Sequence, residues 1–162
     1  MRQETQEQAR LLAEHLYELA GSANDPAAPP AREADVPYIN LAPLRNAAAA
    51  LQTSAKAFDA AAAAALANPT PIERARLAAA NTELRLIEQA LLGPEGLPGR
   101  PWYKHLVYAP GLYTGYGAKT LPSVREAIEE RQFEQVAHHV DDTALALDRY
   151  RKRLDAATAA LR

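Results

Sequence analysis

The sequence predicts an all-α protein: a four-helix-bundle-like domain over residues 1–162, with one long loop rich in aromatics, Gly and Pro at 93–121. Three observations carry this. Apolar residues recur at alternating spacings of three and four through four long segments, the signature of a buried helix face. No segment shows the apolar–polar alternation of a half-buried strand. The strong helix breakers concentrate at 21–40 and 93–121, with a shorter group at 68–71, so they punctuate the helices and do not interrupt them.

The first segment runs from about Glu4 to Ala20. Ala9, Leu12, Leu16 and Leu19 lie on one face, and Gly21 is placed to end it. Residues 21–40 hold four Pro among scattered Asn, Asp and Gly, which predicts a linker or wrapping loop with extended backbone at Pro29-Pro30. The second segment runs from about Leu41 to Ala67. Its stripe of Leu44, Ala48, Leu51, Ala55, Phe58, Ala62 and Ala65 is small in volume, so a neighbouring helix can come close; equally, Ala can be there as the best helix former. Thr70, Pro71 and Glu73 read as a capping box opening a third helix with Leu77, Ala80, Leu84, Ile87 and Leu91 on one face. Gly93-Pro94 ends it. Ser123 and Glu126 read as a second capping box, starting a short helix near residue 122. A break is expected near Arg131 and Gln132. The last helix carries Phe133, Val136, Val140, Thr143, Leu147, Tyr150, Leu154, Ala157 and Leu161.

Composition excludes several functions. A net charge of -2 is no footprint for nucleic acid or an anionic membrane. Without Cys there is neither a disulfide framework nor a thiolate zinc site. The polar N-terminus does not read as a signal peptide, and no apolar run approaches the roughly 20 residues a membrane span needs. The compartment is left open; an exported or periplasmic location is compatible with the absence of Cys. The excess of Arg over Lys, with abundant Ala, suggests high-GC bacterial coding.

Candidate chemistry is sparse. No Ser-His-Asp order, nucleophile elbow, phosphate loop or HExxH motif is present. In HHVDD, His138 lies three before Asp141 and four before Asp142, so either pair could share a helix face. A metal would need a third ligand from elsewhere, and a solvated, charge-paired face is the favoured reading. His15 and His105 are lone.

The loop is the anomaly. Residues 101–122, PWYKHLVYAPGLYTGYGAKTLP, contain the sole Trp, four of the seven Tyr and three of the seven Gly. Trp102, Tyr103 and Tyr108 offer large area to cover the end of an Ala-rich bundle. Tyr113, Thr114 and Tyr116, beside Gly115 and Gly117, could instead present hydroxyls from an exposed turn.

GLPGRPWYKHLVYAP followed by YGAKTLPSVREAI resembles the C-terminal helical domain of the glutamate carboxypeptidase II and transferrin receptor family. The matched landmarks are Leu97, Pro98, Arg100, Pro101, Trp102, Tyr103, His105, Tyr108, Ala109, Pro110, Tyr116, Leu121 and Pro122. The likeness is specific over about 92–128. It implies a transferrin receptor-like dimerisation domain, non-catalytic alone, that forms a homodimer, with Leu44, Leu51, Phe58, Leu84, Leu147 and Leu154 on its dimer or bundle faces. It implies a parent with a zinc-dependent peptidase domain, absent here with its zinc ligands, so no cofactor is expected in this chain. Arg100, Trp102, Tyr103, His105, Tyr108 and Pro110 would anchor the loop. Tyr113 to Lys119 would face the peptidase domain and complete its substrate pocket. In such peptidases a Lys-Tyr pair in this loop holds the carboxylate of a C-terminal glutamate. The Tyr position is Tyr116 and the Lys position is Gly115, so the resemblance lacks that charge; Lys119 is offset. The alternative is a free-standing helical-bundle protein binding a small molecule or metal through the aromatic loop or HHVDD. Neither nucleic acid nor membrane is an expected partner.

Overall fold

The computed structural model describes residues 1–20 and 28–162. Helices dominate, in the order α1 (Arg2–Ala13), α2 (Ala42–Ala67), α3 (Arg74–Leu86), α4 (Pro122–Glu129) and α5 (Phe133–Leu161). Short 3-10 turns occupy Glu18–Ala20 and Glu88–Leu91, and two three-residue strands, β1 (Tyr108–Pro110) and β2 (Ala118–Thr120), pair antiparallel. Strands that short leave no readable period of two, which is why the sequence pattern shows none.

Contacts divide the chain into residues Met1–Tyr38 and Ile39–Arg162. In the first unit, α1 carries Arg10 between Glu7 and Glu14, one turn away on either side. It ends at Ala13, earlier than the apolar spacing to Leu19 predicts, because the backbone turns left-handed at His15 (φ 57°). The expected stop at Gly21 lies outside the described residues, as does the start of the Pro-rich segment. Residues 31–37 lie along α1: Arg2 donates to the Pro37 carbonyl (2.6 Å), and the Glu33 amide donates to the Gln8 side chain (3.0 Å).

In the second unit α5 is central, and α2, α3, α4 and the 88–91 turn all pack on it. Its buried positions are Val136, Val140, Thr143, Ala146, Leu154, Ala157 and Thr158. Ala146 and Ala157 have no exposed surface. Small side chains there let the neighbouring elements approach, at the expense of apolar area per residue. The buried Thr143 and Thr158 hydroxyls donate to the carbonyls four residues earlier, each at 2.8 Å, so neither is orphaned. One apolar cluster joins Val124 and Ala127 of α4 to Val136 and Val140 of α5; a second joins Leu91, Leu97, Leu106 and Ala109 to Ala146.

Both expected capping boxes are absent. Helix α3 begins at Arg74 with no side-chain cap, and the Asn68 side chain instead accepts from the Thr70 amide (2.9 Å). Pro71 therefore precedes α3. Helix α4 does open at Pro122, behind Leu121 in a left-handed conformation (φ 50°), but the Glu126 carboxylate is used elsewhere. The break before α5 falls where expected, with Arg131 at φ 60°.

Candidate functional site

The long loop is built in two tiers. The first, 92–107, folds on itself and against α5. The Gly93 amide donates to the Lys104 carbonyl (2.8 Å), the Leu97 amide to Tyr103 (2.8 Å) and the Leu106 amide to Leu91 (3.0 Å). Gly96 sits at φ +73°, and a Cβ there would lie 2.2 Å from the Pro101 carbonyl oxygen, so no other residue fits this reversal. The apolar weight is carried by Leu97 and Leu106, both buried against Ala146. Each such burial stabilises by roughly 1.5–3 kcal/mol.

Arg100 locks this tier to the next. Arg100 is 3% exposed, and its guanidinium forms a two-pronged pair with the Glu126 carboxylate of α4, at 2.9 and 3.0 Å. Arg100 Nη2 also donates to the Pro110 carbonyl (3.1 Å), while Glu126 accepts from the Leu112 amide (2.9 Å). One ion pair thus holds both sides of the second tier's entrance. The planar fork of Arg suits this; a Lys could not make the same set.

The second tier is the ribbon β1–β2, with Tyr108 opposite Thr120, Ala109 opposite Lys119 and Pro110 opposite Ala118. The Leu121 amide donates to the Val107 carbonyl (2.7 Å) at its base. At its tip Gly111 and Gly117 amides donate to the Gly117 and Thr114 carbonyls, and the Thr114 hydroxyl donates to Gly117 (3.1 Å). These turns leave Tyr113 exposed and Tyr116 fully so. Gly115 has φ +58°, and nothing lies within 4 Å of where its Cβ would be. Lys119 does not fill the gap: its Nζ is paired with Glu129.

Among the expected anchors, Arg100, His105 and Pro110 make the contacts that hold the loop. His105 Nδ1 accepts from the Val107 and Tyr108 amides (3.3 and 3.1 Å), which leaves Nε2 to donate to Glu88 (3.0 Å). Trp102 is a correction. It is 72% exposed, with Tyr103 (6.4 Å between ring centroids) and Tyr108 also exposed. Large aromatic area does not cover the bundle; the aliphatic Leu97 and Leu106 do. The residues that sequence reasoning missed are Glu126, misread as a helix cap, and Leu112, whose contact is made by its backbone. The expected dimer or bundle faces pack within the helical unit. Leu154 is buried and Leu44, Leu51, Phe58, Leu84 and Leu147 are half-buried, whereas the exposed large apolar residues of the helices include Leu66, Leu77 and Leu145.

In HHVDD, exposed His138 lies 3.2 Å from Asp142. The His139 ring is half-buried with its Nε2 unpartnered, and burial, then His138, hold its pKa below the ordinary histidine value against the opposing pull of Asp142. No group of three His, Cys, Asp or Glu able to hold a metal occurs among the described residues. No helix among them is long and apolar enough to cross a membrane.

The scaffold is helical and holds one loop with its tip exposed. Residues 39–155 match the transferrin receptor-like dimerisation domain, and the chain belongs to that family. It is 40% identical over 67 residues to a probable glutamate carboxypeptidase of Arabidopsis thaliana, covering 37% of this chain and 10% of the relative. It is 39% identical over 69 residues to an inactive zinc metalloprotease of Schizosaccharomyces pombe, covering 43% and 9%. A probable glutamate carboxypeptidase of Arthroderma benhamiae is 33% identical over 67 residues, covering 41% and 9%. The chain thus spans about a tenth of the length of these relatives.

Proposed function

We propose that this chain is the homodimerising domain of a glutamate-carboxypeptidase-like zinc exopeptidase, and that the tip at 111–117 completes the substrate pocket of the peptidase domain. Membership of a dimerisation family supports the first part. The observation that carries the second is the fully exposed Tyr116, on a turn whose entrance is fixed by a buried two-pronged ion pair. A rigid base with an exposed phenol suits contact with another body: preorganisation lowers the ordering entropy lost on binding. The chain's own role is to hold and present; the zinc and its chemistry belong to the peptidase domain.

Sedimentation equilibrium of this chain at micromolar concentration tests association, and a strict monomer contradicts it. Tyr116→Phe in the full-length protein tests the pocket. It removes one hydroxyl donor, so peptidase kcat/KM should fall by about tenfold, the scale of one hydrogen bond to a charged group, while thermal stability stays unchanged. Unchanged kcat/KM would remove Tyr116 from the pocket.

A further inference from the structure

We infer that His139 is an acid-operated latch for the loop: when its ring takes a proton, residues 93–112 come away from α5 while the helices stay folded. Such a latch works whatever body the tip contacts.

His139 sits where the loop is seated. Pro98, Ser123 and His139 border both clefts beside α5, so they divide one from the other. Loop residues 93–97 and Leu106 close the first cleft over α5, and Gly99 and Leu112 close the second against α4. The ring is half-buried, yet its Nε2 has almost no accessible surface and no hydrogen-bond partner. A neutral imidazole tolerates this, because Nε2 can be its bare acceptor nitrogen. An imidazolium does not. Both of its nitrogens carry N–H groups, and a buried donor that shares a positive charge needs an acceptor.

The charged groups facing the ring come from three elements. Asp142 of α5 attracts it but already lies 3.2 Å from His138. Arg149, on the same helix, adds a cation to the first cleft. Glu126 of α4 accepts three hydrogen bonds, from Arg100 and the Leu112 amide, so serving His139 would break the clamp. Glu95 of the loop is exposed, and so is Glu130, which accepts from the Gln132 side chain. Water is the remaining acceptor, and it reaches Nε2 when the turn at Pro98 and Gly99 lifts and the two clefts merge.

Burial, then His138, accordingly hold the ring's pKa below its ordinary value, against the pull of Asp142. Neutral His139 stabilises the closed loop above about pH 6.5, and that stabilisation is lost as pH falls towards the closed-state value. Arg100 follows Gly99 directly, so a lifted turn loosens the clamp and with it the tip. Acid thereby ends the rigid presentation of Tyr113 and Tyr116.

Hydrogen exchange of this chain at about pH 7.5 and about pH 5.5, corrected for intrinsic rates, tests the latch. Protection of the Leu97, Leu106 and Leu112 amides should fall at least about threefold, against a ceiling of about tenfold for one proton with an open-state pKa of about 6.5. Their exchange should also depend less on urea than that of the Val140 and Leu154 amides, marking an opening short of unfolding. His139→Gln should abolish the acid effect, and His138→Gln should keep most of it. In wild type, protection should begin to fall near pH 6.5 and level off where the His139 ring resonance titrates, about which no variant need be made. Unchanged protection, or a fall that persists in His139→Gln, overturns the latch. So does a His139 ring that titrates at about 6.5 or above. Loop amides that share the urea dependence of Val140 and Leu154 also overturn it, because the loop then opens only by unfolding.

Discussion

Glu126→Gln isolates the clamp that fixes the loop. In the wild type the Glu126 carboxylate takes three hydrogen bonds: two from Arg100 at 2.9 and 3.0 Å and one from the Leu112 amide at 2.9 Å. Both partners are almost wholly buried, at 3% for Arg100 and 6% for Glu126. Gln preserves the volume but replaces one acceptor oxygen with a donor that faces a guanidinium donor. It leaves the Arg100 charge buried and unpaired, which costs about 3–5 kcal/mol. That is a large part of a typical domain's 5–15 kcal/mol. Urea unfolding followed by circular dichroism measures it, and amide exchange at Leu112 shows whether the loss is confined to the loop. The double variant Arg100→Met with Glu126→Leu removes both charges at similar volume, so it should recover part of the loss. The Pro110 carbonyl and the Leu112 amide still lose partners, but neither residue is fully buried, so water can serve both. A Glu126→Gln cost below about 1 kcal/mol, or a double variant as unstable as the single, would refute the reasoning.

The aromatic and aliphatic parts of the loop should separate cleanly. Leu97→Ala, inside the cluster with Leu106 and Ala146, should cost about 2–4 kcal/mol in urea unfolding, whereas Trp102→Ala should stay within about 0.5 kcal/mol. His139 should make the domain acid-sensitive. Its folded pKa is depressed by burial and by His138, so the unfolded chain binds the proton more readily. The stability that neutral His139 contributes is present above the unfolded value of about 6.5 and is lost as pH falls from there towards the folded value. Glu95, Asp142 and Arg149 line one of the two clefts that His139 borders, with His138, and Glu126 and Glu130 line the other. His139→Gln should flatten the stability curve between pH 7 and 5; an unchanged curve would assign the acid sensitivity to another group.

The parts of this protein legible in its sequence are those whose cause is local. Helix periodicity located α2, α3 and α5 because a buried stripe is written every three or four residues. The break before α5 was legible near Arg131. The loop's extent was legible because Gly and Pro delimit it. The clamp was not, since Arg100 and Glu126 are 26 positions apart and nothing in either neighbourhood marks the other. The local pattern of Ser123 and Glu126 matched a capping box, and a carboxylate there can serve a helix amide or a guanidinium with equal ease. Tertiary contact decided between them. Trp102 misled for a related reason. Side-chain size predicts how much area a residue can bury, not whether the backbone turns it inward, and the reversal at Gly96 puts Leu97 inside while Trp102 stays outside.

The same distinction separates two glycines of the loop. At Gly96 a Cβ would collide with backbone, so that glycine is required by the fold and carries no information about function. At Gly115 the surrounding space is empty, and only the positive φ favours glycine. Asn or Asp can occupy such a conformation, and other residues can do so at modest cost. The missing side chain at 115 therefore removes chemistry from the exposed tip without relieving any crowding beneath it. With Lys119 already held by Glu129, the tip is left with phenols, the Thr114 hydroxyl and peptide groups as its polar equipment. Any partner that docks there meets hydrogen-bond donors and aromatic faces on a rigid base, and no free cation from residues 111–119.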